Sequence, residues 1–380
     1  MNEQGRRLEH LNKKLKESNL DGFVICDPDN VYYFTGSENY IGMDFGRPSI
    51  LFVVRDEEPV LLVPAGDLGM VNAMARSVRV VGWRDSAEGE WKKLLGQFLT
   101  DSRPRTIGFE AQFNPLVYTH LRAVCASEPI IADEIIQQMR LIKSASEISD
   151  LRKAGKVADA MMGAIRDAIQ VGVPEFEVSL AGIEAGTRIA AELLADEGAH
   201  PLHSPMVNYL QIMKSGTNTD LGHCRPGLKC IGAGEPVAIC LCGMISYKHM
   251  KLAMDRPFFA ESVSSEHEAM TRITLESQEA ALSMVKPGTP VADVHAAASA
   301  VLERYGYAPC TRTGRGLGVS FTEKPQIMMG DPTILRPGMV LAVDGNLTVK
   351  EFGVQFGDSI LVTDDGFEFL TNYAREVQVI

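Results

Sequence analysis

The sequence has no long apolar run, no excess of basic residues and no low-complexity tract. A membrane-spanning helix needs about 20 consecutive apolar residues, so no span is expected. The opening MNEQGRRLEHLNKKLKESNL also lacks the apolar stretch of a secretory signal, and a cytoplasmic protein is the expectation. Lys and Arg number 37 against 49 Asp and Glu, a net charge of −12. Little here would neutralise phosphates in quantity, so no nucleic-acid partner is expected. Cysteine is sparse and shows no ligand spacing: there are seven, an odd number, scattered along the chain. Cys240 and Cys242 flank one Leu inside an apolar run and would share one face of a strand rather than bracket a zinc turn. All seven are therefore read as reduced, mostly buried thiols. GRGLGVS, 314–320, has the glycines of a phosphate loop without the Lys and Ser/Thr that grip phosphate, and no nucleotide role follows.

What is present is an ordinary globular composition, 45% hydrophobic and 23% charged, over 380 residues. That length allows two domains with their own cores. Leu8, Leu11 and Leu15 recur at helical spacing, and the helix should stop near Asn19 to Gly22. GFVIC reads as a buried strand, DPDN as a turn and VYYFTG as a second strand. SILFVV and PVLLVP, separated by RDEE, read as a hairpin, with TIGFE and PIIAD as further strands. The texture changes at QMRLIKSASEISDLRKAGKVADAMM, where Ser144 and Glu147 form a capping box before a long amphipathic helix. A second helix is predicted over Glu175 to Glu197. A later pair opens at Ser265 with Glu268, and at Thr289 with Pro290 in the first helical position. Two helix pairs, each followed by long strands, predict a duplicated unit whose sheets curve around a cleft. The expected fold is thus α/β (α+β), with an N-terminal domain over 1–138 and a second domain over 139–380.

LIKSASEISDLRKA at the junction, RPGMV at 336–340 and GDSILVTDDG at 357–366 together resemble motifs of the creatinase, prolidase and aminopeptidase P family. The resemblance covers essentially the whole chain and implies a creatinase-like N-terminal domain followed by a "pita-bread" catalytic domain. Peptidase members of that family hold two metal ions with two Asp, one His and two Glu. At the corresponding positions this chain has Ile-Cys-Leu-Cys before Gly243, Ala253, Thr322, Asp344 and Gly357. One carboxylate cannot hold a pair of hard ions, so no metal and no cofactor are expected.

The resemblance then points to the metal-free branch, creatinase and ectoine hydrolases. SGTNTDLGH is similar to the creatinase segment that ends in its catalytic histidine, which puts that role on His223. MDRPFF resembles the motif carrying one acid of the site, here Asp255, and the acid of the PGMV strand is Asp344. FGRP, Phe45 to Pro48, resembles the motif whose arginine, here Arg47, reaches across a homodimer to the substrate carboxylate. Lys324 is the nearest candidate for a second carboxylate grip. The implied activity is metal-independent hydrolysis of a guanidino or amidine C–N bond in a small zwitterion, with His223 as base and then acid. Asp255 and Asp344 would hold the cation.

Strand alternation adds Tyr247 and His249 to the pocket, provided the ribbon from Tyr247 to Asp255 has no bulge. Plainer readings run beside these. Asp255 and Arg256 could form a surface ion pair, and Asp344-Gly345 could form a hairpin turn. A lyase of the same fold and a non-catalytic peptide- or protein-binding module are the alternative functions.

Overall fold

Leu8, Leu11 and Leu15 are all buried on the helix Glu3–Glu17, whose first turn Asn2 caps by accepting from the Gly5 N–H at 2.8 Å. In the structure, a computed structural model, the described residues are 1–38, 47–85, 89–112, 114–207 and 212–380. They divide into two compact units, Met1–Arg140 and Leu141–Ile380.

The first unit is built on a six-stranded mixed sheet. Its order is Arg79–Trp83, Val60–Pro64, Ile50–Val54, Gly22–Ile25, Ile107–Phe109 and Ile130–Ile131. The expected hairpin is present as the antiparallel pair Ile50–Val54 and Val60–Pro64. Val24, Phe52, Leu62, Trp91 and Leu95 are among the residues of its core. VYYFTG, in contrast, is not a strand: it lies in the helix Pro28–Thr35. Asp27 caps that helix through the Asn30 N–H at 3.0 Å, Pro28 opens it, and Gly36 ends it at φ 73°. Strong signals at both ends outweigh the β propensity of the aromatic and β-branched residues between them.

The second unit carries the helix pairs Ala145–Ala168 with Glu175–Asp196, and Ser265–Ser283 with Val291–Arg304. The Ser144–Glu147 capping box closes as the spacing predicts. In the second pair the caps sit on Ser264, one residue before the predicted Ser265, and on Pro290, one residue after the predicted Thr289. The central path of a nine-stranded sheet runs Glu323–Ile327, Gly314–Gly316, Val340–Val349, Phe352–Val362, Asp255–Phe259, Pro236–Cys240 and Ile212–Ser215. Two short strands, Phe367–Phe369 and Gln378–Val379, join it at the sides.

The predicted ribbon from Tyr247 to Asp255 is interrupted. Ile245–Tyr247 and Met250–Leu252 form a separate hairpin, turned by Lys248 and His249 at φ 45° and 68°. The condition for reading alternation from Tyr247 to Asp255 is therefore not met. No helix among the described residues is long and apolar enough to cross a membrane.

Candidate functional site

One rung of the large sheet assembles the polar centre. Antiparallel register pairs Cys240 with Asp255, Asp255 with Gly357 and Gly357 with Asp344, so four adjacent strands contribute one position each to the same face. Asp255 and Asp344 are 2% and 6% exposed. Asp344 lies inside the ten-residue strand Val340–Val349, so Asp344-Gly345 is not a turn. Nor is Asp255 the surface partner of Arg256. The Arg256 guanidinium is fully buried and donates to Asp358 Oδ1 at 2.7 Å and to the backbone oxygens of Asp255, Gly357, Tyr373 and Ala374. This buried, fully bonded arginine locks the Asp255 strand to its neighbour.

Gly357 between the acids has a specific reason. A Cβ there would stand 2.1 Å from Asp255 Oδ2 and 2.8 Å from Asp344 Oδ1. The two carboxyl groups occupy the space that any side chain would need. Asp255 Oδ2 accepts from Gln355 Nε2 at 3.0 Å, and Asp344 Oδ2 lies 3.6 Å from Arg315 Nη1. Oδ1 of each acid is buried with no hydrogen-bond partner among the described residues. Such oxygens are costly unless something of positive character meets them.

Burial pushes the Asp255 carboxyl up to about 8, with the neighbouring Asp344 charge acting in the same direction and Arg315 and Arg256 against it. Burial raises Asp344 too, opposed by Arg315 and Arg312. Burial thus holds both carboxyls above the ordinary range, Asp255 with its neighbour's charge adding to the effect. A free aspartate in an unfolded chain releases its proton near about pH 4. Between about pH 4 and the folded value, the native state binds more protons, so stability falls as pH rises through that window. Asp255→Asn is expected to flatten this fall and to melt about 2–4 °C higher than the parent at the alkaline end. Thermal unfolding followed across the window checks it, and an unchanged slope would remove Asp255 as the titrating group.

Asp344 faces a cavity of about 280 Å³ that Cys240, Cys242, Arg312, Arg315, Asn346, Gln355 and His223 help to line, and Asp255 lies behind that wall, bonded to Gln355. His223 is exposed and follows the short 3₁₀ turn Gly216–Asp220. Three side chains hold that loop. Lys214 Nζ donates to the carbonyls of Leu221 and Gly222, Thr219 Oγ1 accepts from the Gly353 N–H at 3.1 Å, and Asp220 Oδ2 accepts from the Glu351 N–H at 2.8 Å. The structure thus places His223 and Asp344 on one cavity, with Asp255 buried beside Asp344 behind its wall.

The other candidates lie elsewhere or outside the described residues. Tyr247 donates to Glu197 Oε1 at 2.6 Å, between Lys153 and Lys248, and is not part of the cavity wall; nor is His249, in the hairpin turn. Lys324 is exposed on the edge strand Glu323–Ile327, its charge facing Asp331. Arg47 ion-pairs with Asp85 in the first unit, and Phe45 lies outside the described residues. The cavity's guanidinium groups, Arg312 and Arg315, were not singled out from sequence. Arg315 sits between two glycines of GRG, a pattern weighed there only as a phosphate loop. Its Nε donates to Phe321 O at 3.2 Å and its plane lies 4.1 Å over the Phe321 ring. One cysteine reading changes as well. Cys240 and Cys242 share a face as expected, but they are joined as a disulfide, not reduced.

Residues 149–364 match the family model for metallopeptidase family M24, and residues 7–142 match the creatinase/prolidase N-terminal domain. The chain belongs to metallopeptidase family M24. It has the two-domain organisation of that family, a creatinase-like N-terminal domain followed by the pita-bread domain. A Xaa-Pro dipeptidase of Pyrococcus furiosus is 28% identical over 376 residues, covering 98% of this chain and 99% of the relative. The agropine synthesis cyclase of Rhizobium rhizogenes is 27% identical, covering 97% and 95%. Among solved structures, a prolidase from Thermococcus sibiricus superposes over the full length of both chains with a TM-score of 0.86 at 22% identity, a likeness of fold.

These comparisons overturn the expectation of a metal-independent enzyme for guanidino or amidine bonds. The family is one of metallopeptidases, and the dipeptidase relatives are named for cleaving peptide bonds. The donor set must then be tested against the family's pair of divalent ions. Ala253 and Gly357 offer no ligand atom, and the space at Gly357 is already taken by carboxyl oxygens. Thr322 stands exposed, and Asp344 is the one carboxylate left at the positions the resemblance marks. The family's all-oxygen-and-imidazole pair does not fit these residues.

Proposed function

We propose that this M24 member hydrolyses a peptide-like C–N bond in a small substrate that carries a free carboxylate. The observation behind this reading is the pair of adjacent buried acids with unpartnered Oδ1 atoms, Asp344 in the cavity wall and Asp255 beside it across Gly357. The charged member of the pair accepts a proton from water as it attacks the amide carbonyl. The neutral member returns a proton to the leaving nitrogen. Two like acids can divide these roles because burial and mutual repulsion set their protonation apart. Arg315 beside Asp344 favours the charged form on that side. His223, at the exposed wall, is placed to exchange protons with solvent between turnovers.

Arg312 supports the substrate class. It is half-buried near the Arg315 charge, and burial with that repulsion lowers its pKa. An anion delivered by the substrate would relieve both terms. The dipeptidase names of the relatives agree with a substrate of this size and charge. The proposal also includes a homodimer in which Arg47, released from Asp85, meets the carboxylate bound by the other copy. The relative named a cyclase favours one further possibility, condensation within a single substrate by the same acid pair.

The test is a panel of dipeptides, Xaa-Pro members included, with the freed amino acids or any ring product measured by mass spectrometry. Arg312→Ala is expected to raise KM about 10–100-fold for free-carboxylate dipeptides, the cost of one charge-assisted hydrogen bond. It should leave C-terminally amidated ones unchanged. A panel with no turnover, before or after addition of Zn²⁺ or Mn²⁺, would sink the reading.

A further inference from the structure

The cross-strand rung that carries the acids begins with a cysteine, and a second cysteine follows two residues later on the same face. Cys240 Sγ, Cys242 Sγ and a carboxylate oxygen of Asp255 lie within 4.8 Å of one another. Both cysteines line the same cavity as Asp344, with space in front of them. An independent observation points to a cation here: Asp255 is 98% buried, and its Oδ1 has no partner among the described residues. A second unpartnered oxygen, Asp344 Oδ1, lies on the other side of Gly357.

We propose that the dithiol form of this protein binds one thiophilic divalent ion, zinc by chemistry, through Cys240, Cys242 and Asp255. Two thiolates and one carboxylate make a three-ligand set with the fourth position open to the cavity, the pattern of a catalytic rather than a structural zinc site. Thiolate donors select against magnesium, calcium and manganese, which prefer all-oxygen shells. The disagreement between this chain and its family then has a physical meaning. The hard-ion pair is gone because its carboxylate and imidazole ligands are gone, and sulphur stands on the strand where the first carboxylate would be.

The site opens by reduction. A phosphine reductant with one water gives two electrons and two protons to the Cys240–Cys242 disulfide, yielding two thiols and the phosphine oxide. Binding of the ion then releases the two thiol protons to solvent, so affinity rises with pH. The disulfide form offers no thiolate and should bind no ion at this place.

The experiment needs no substrate, so its outcome is separate from that of the hydrolysis proposed above. Full-length protein, reduced with a phosphine and freed of metal, is titrated with Co²⁺ and then Zn²⁺. The expected result is one equivalent of Co²⁺, a thiolate-to-cobalt charge-transfer absorption, and its loss as Zn²⁺ displaces cobalt. The untreated disulfide form should show neither. Cys240→Ser and Cys242→Ser should each weaken binding by more than the about 10–100-fold that removal of an outer-shell partner costs. Where a serine variant folds poorly, protection supplies the second measurement: zinc should block maleimide labelling of Cys240 and Cys242 in the unmutated protein, read by peptide mass. A cobalt complex without the sulphur band, a band that survives the double serine variant, or full labelling in the presence of zinc would overturn the proposal.

Discussion

Asp344→Asn is expected to lower kcat/KM by about 10²–10⁴-fold, the usual contribution of a positioned acid or base, while leaving the fold intact. The substitution keeps size and hydrogen-bonding capacity but cannot take a proton from water. It also releases Asp255 from its like-charge neighbour, so the remaining carboxyl should titrate closer to the ordinary range. The pH profile therefore carries the sharper information. In the parent, raising pH through about 8 ionises the buried Asp255 carboxyl, and activity should fall there for want of the neutral member. In Asp344→Asn any residual activity should lose that alkaline limb. Steady-state rates against pH for both proteins check this, and a parent profile that stays flat across the alkaline range would remove a neutral Asp255 from the mechanism.

Gly357→Ala, a single added methyl group, is expected to abolish activity and to destabilise the second domain by about 1–3 kcal/mol, the range for overpacking a tight site. The new Cβ would stand 2.1 Å from Asp255 Oδ2 and 2.8 Å from Asp344 Oδ1, and neither acid can retreat freely. Asp255 is held through its backbone by Arg256, and Asp344 lies mid-strand. Thermal denaturation and turnover measured together test it. A variant with parental melting temperature and rate would show that the acids do not close over residue 357. The same geometry makes Gly357→Glu unable to rebuild a family-type ligand, since the carboxylate would have to enter occupied space.

The parts legible in sequence were those governed by short-range rules. The capping box at Ser144 and Glu147, the Leu8–Leu11–Leu15 face and the hairpin around RDEE each depend on neighbours a few residues apart. The family motifs led to His223 and Asp344, which line one cavity, and to Asp255, which shares a sheet rung with Asp344. The failures have equally local causes. VYYFTG became a helix because its caps outweighed its propensity, and alternation along Tyr247–Asp255 broke at two consecutive residues with positive φ. The metal-independent assignment was overturned by the family match. It came from counting lost hard-ion ligands and treating cysteines only as buried thiols.

By itself, the sequence determined the two-domain plan and the amphipathic helix pairs, and its resemblance to the family singled out the two acids. These follow from periodicity, caps and motifs that act within a few residues. Only the tertiary structure decided which side chains meet. Cys240, Asp255, Gly357 and Asp344 are separated by up to about 120 residues, yet they share one rung. Strand order and register create that rung, and both are set by packing across the whole sheet. A shift of one residue in any of the four strands would turn its side chain to the other face.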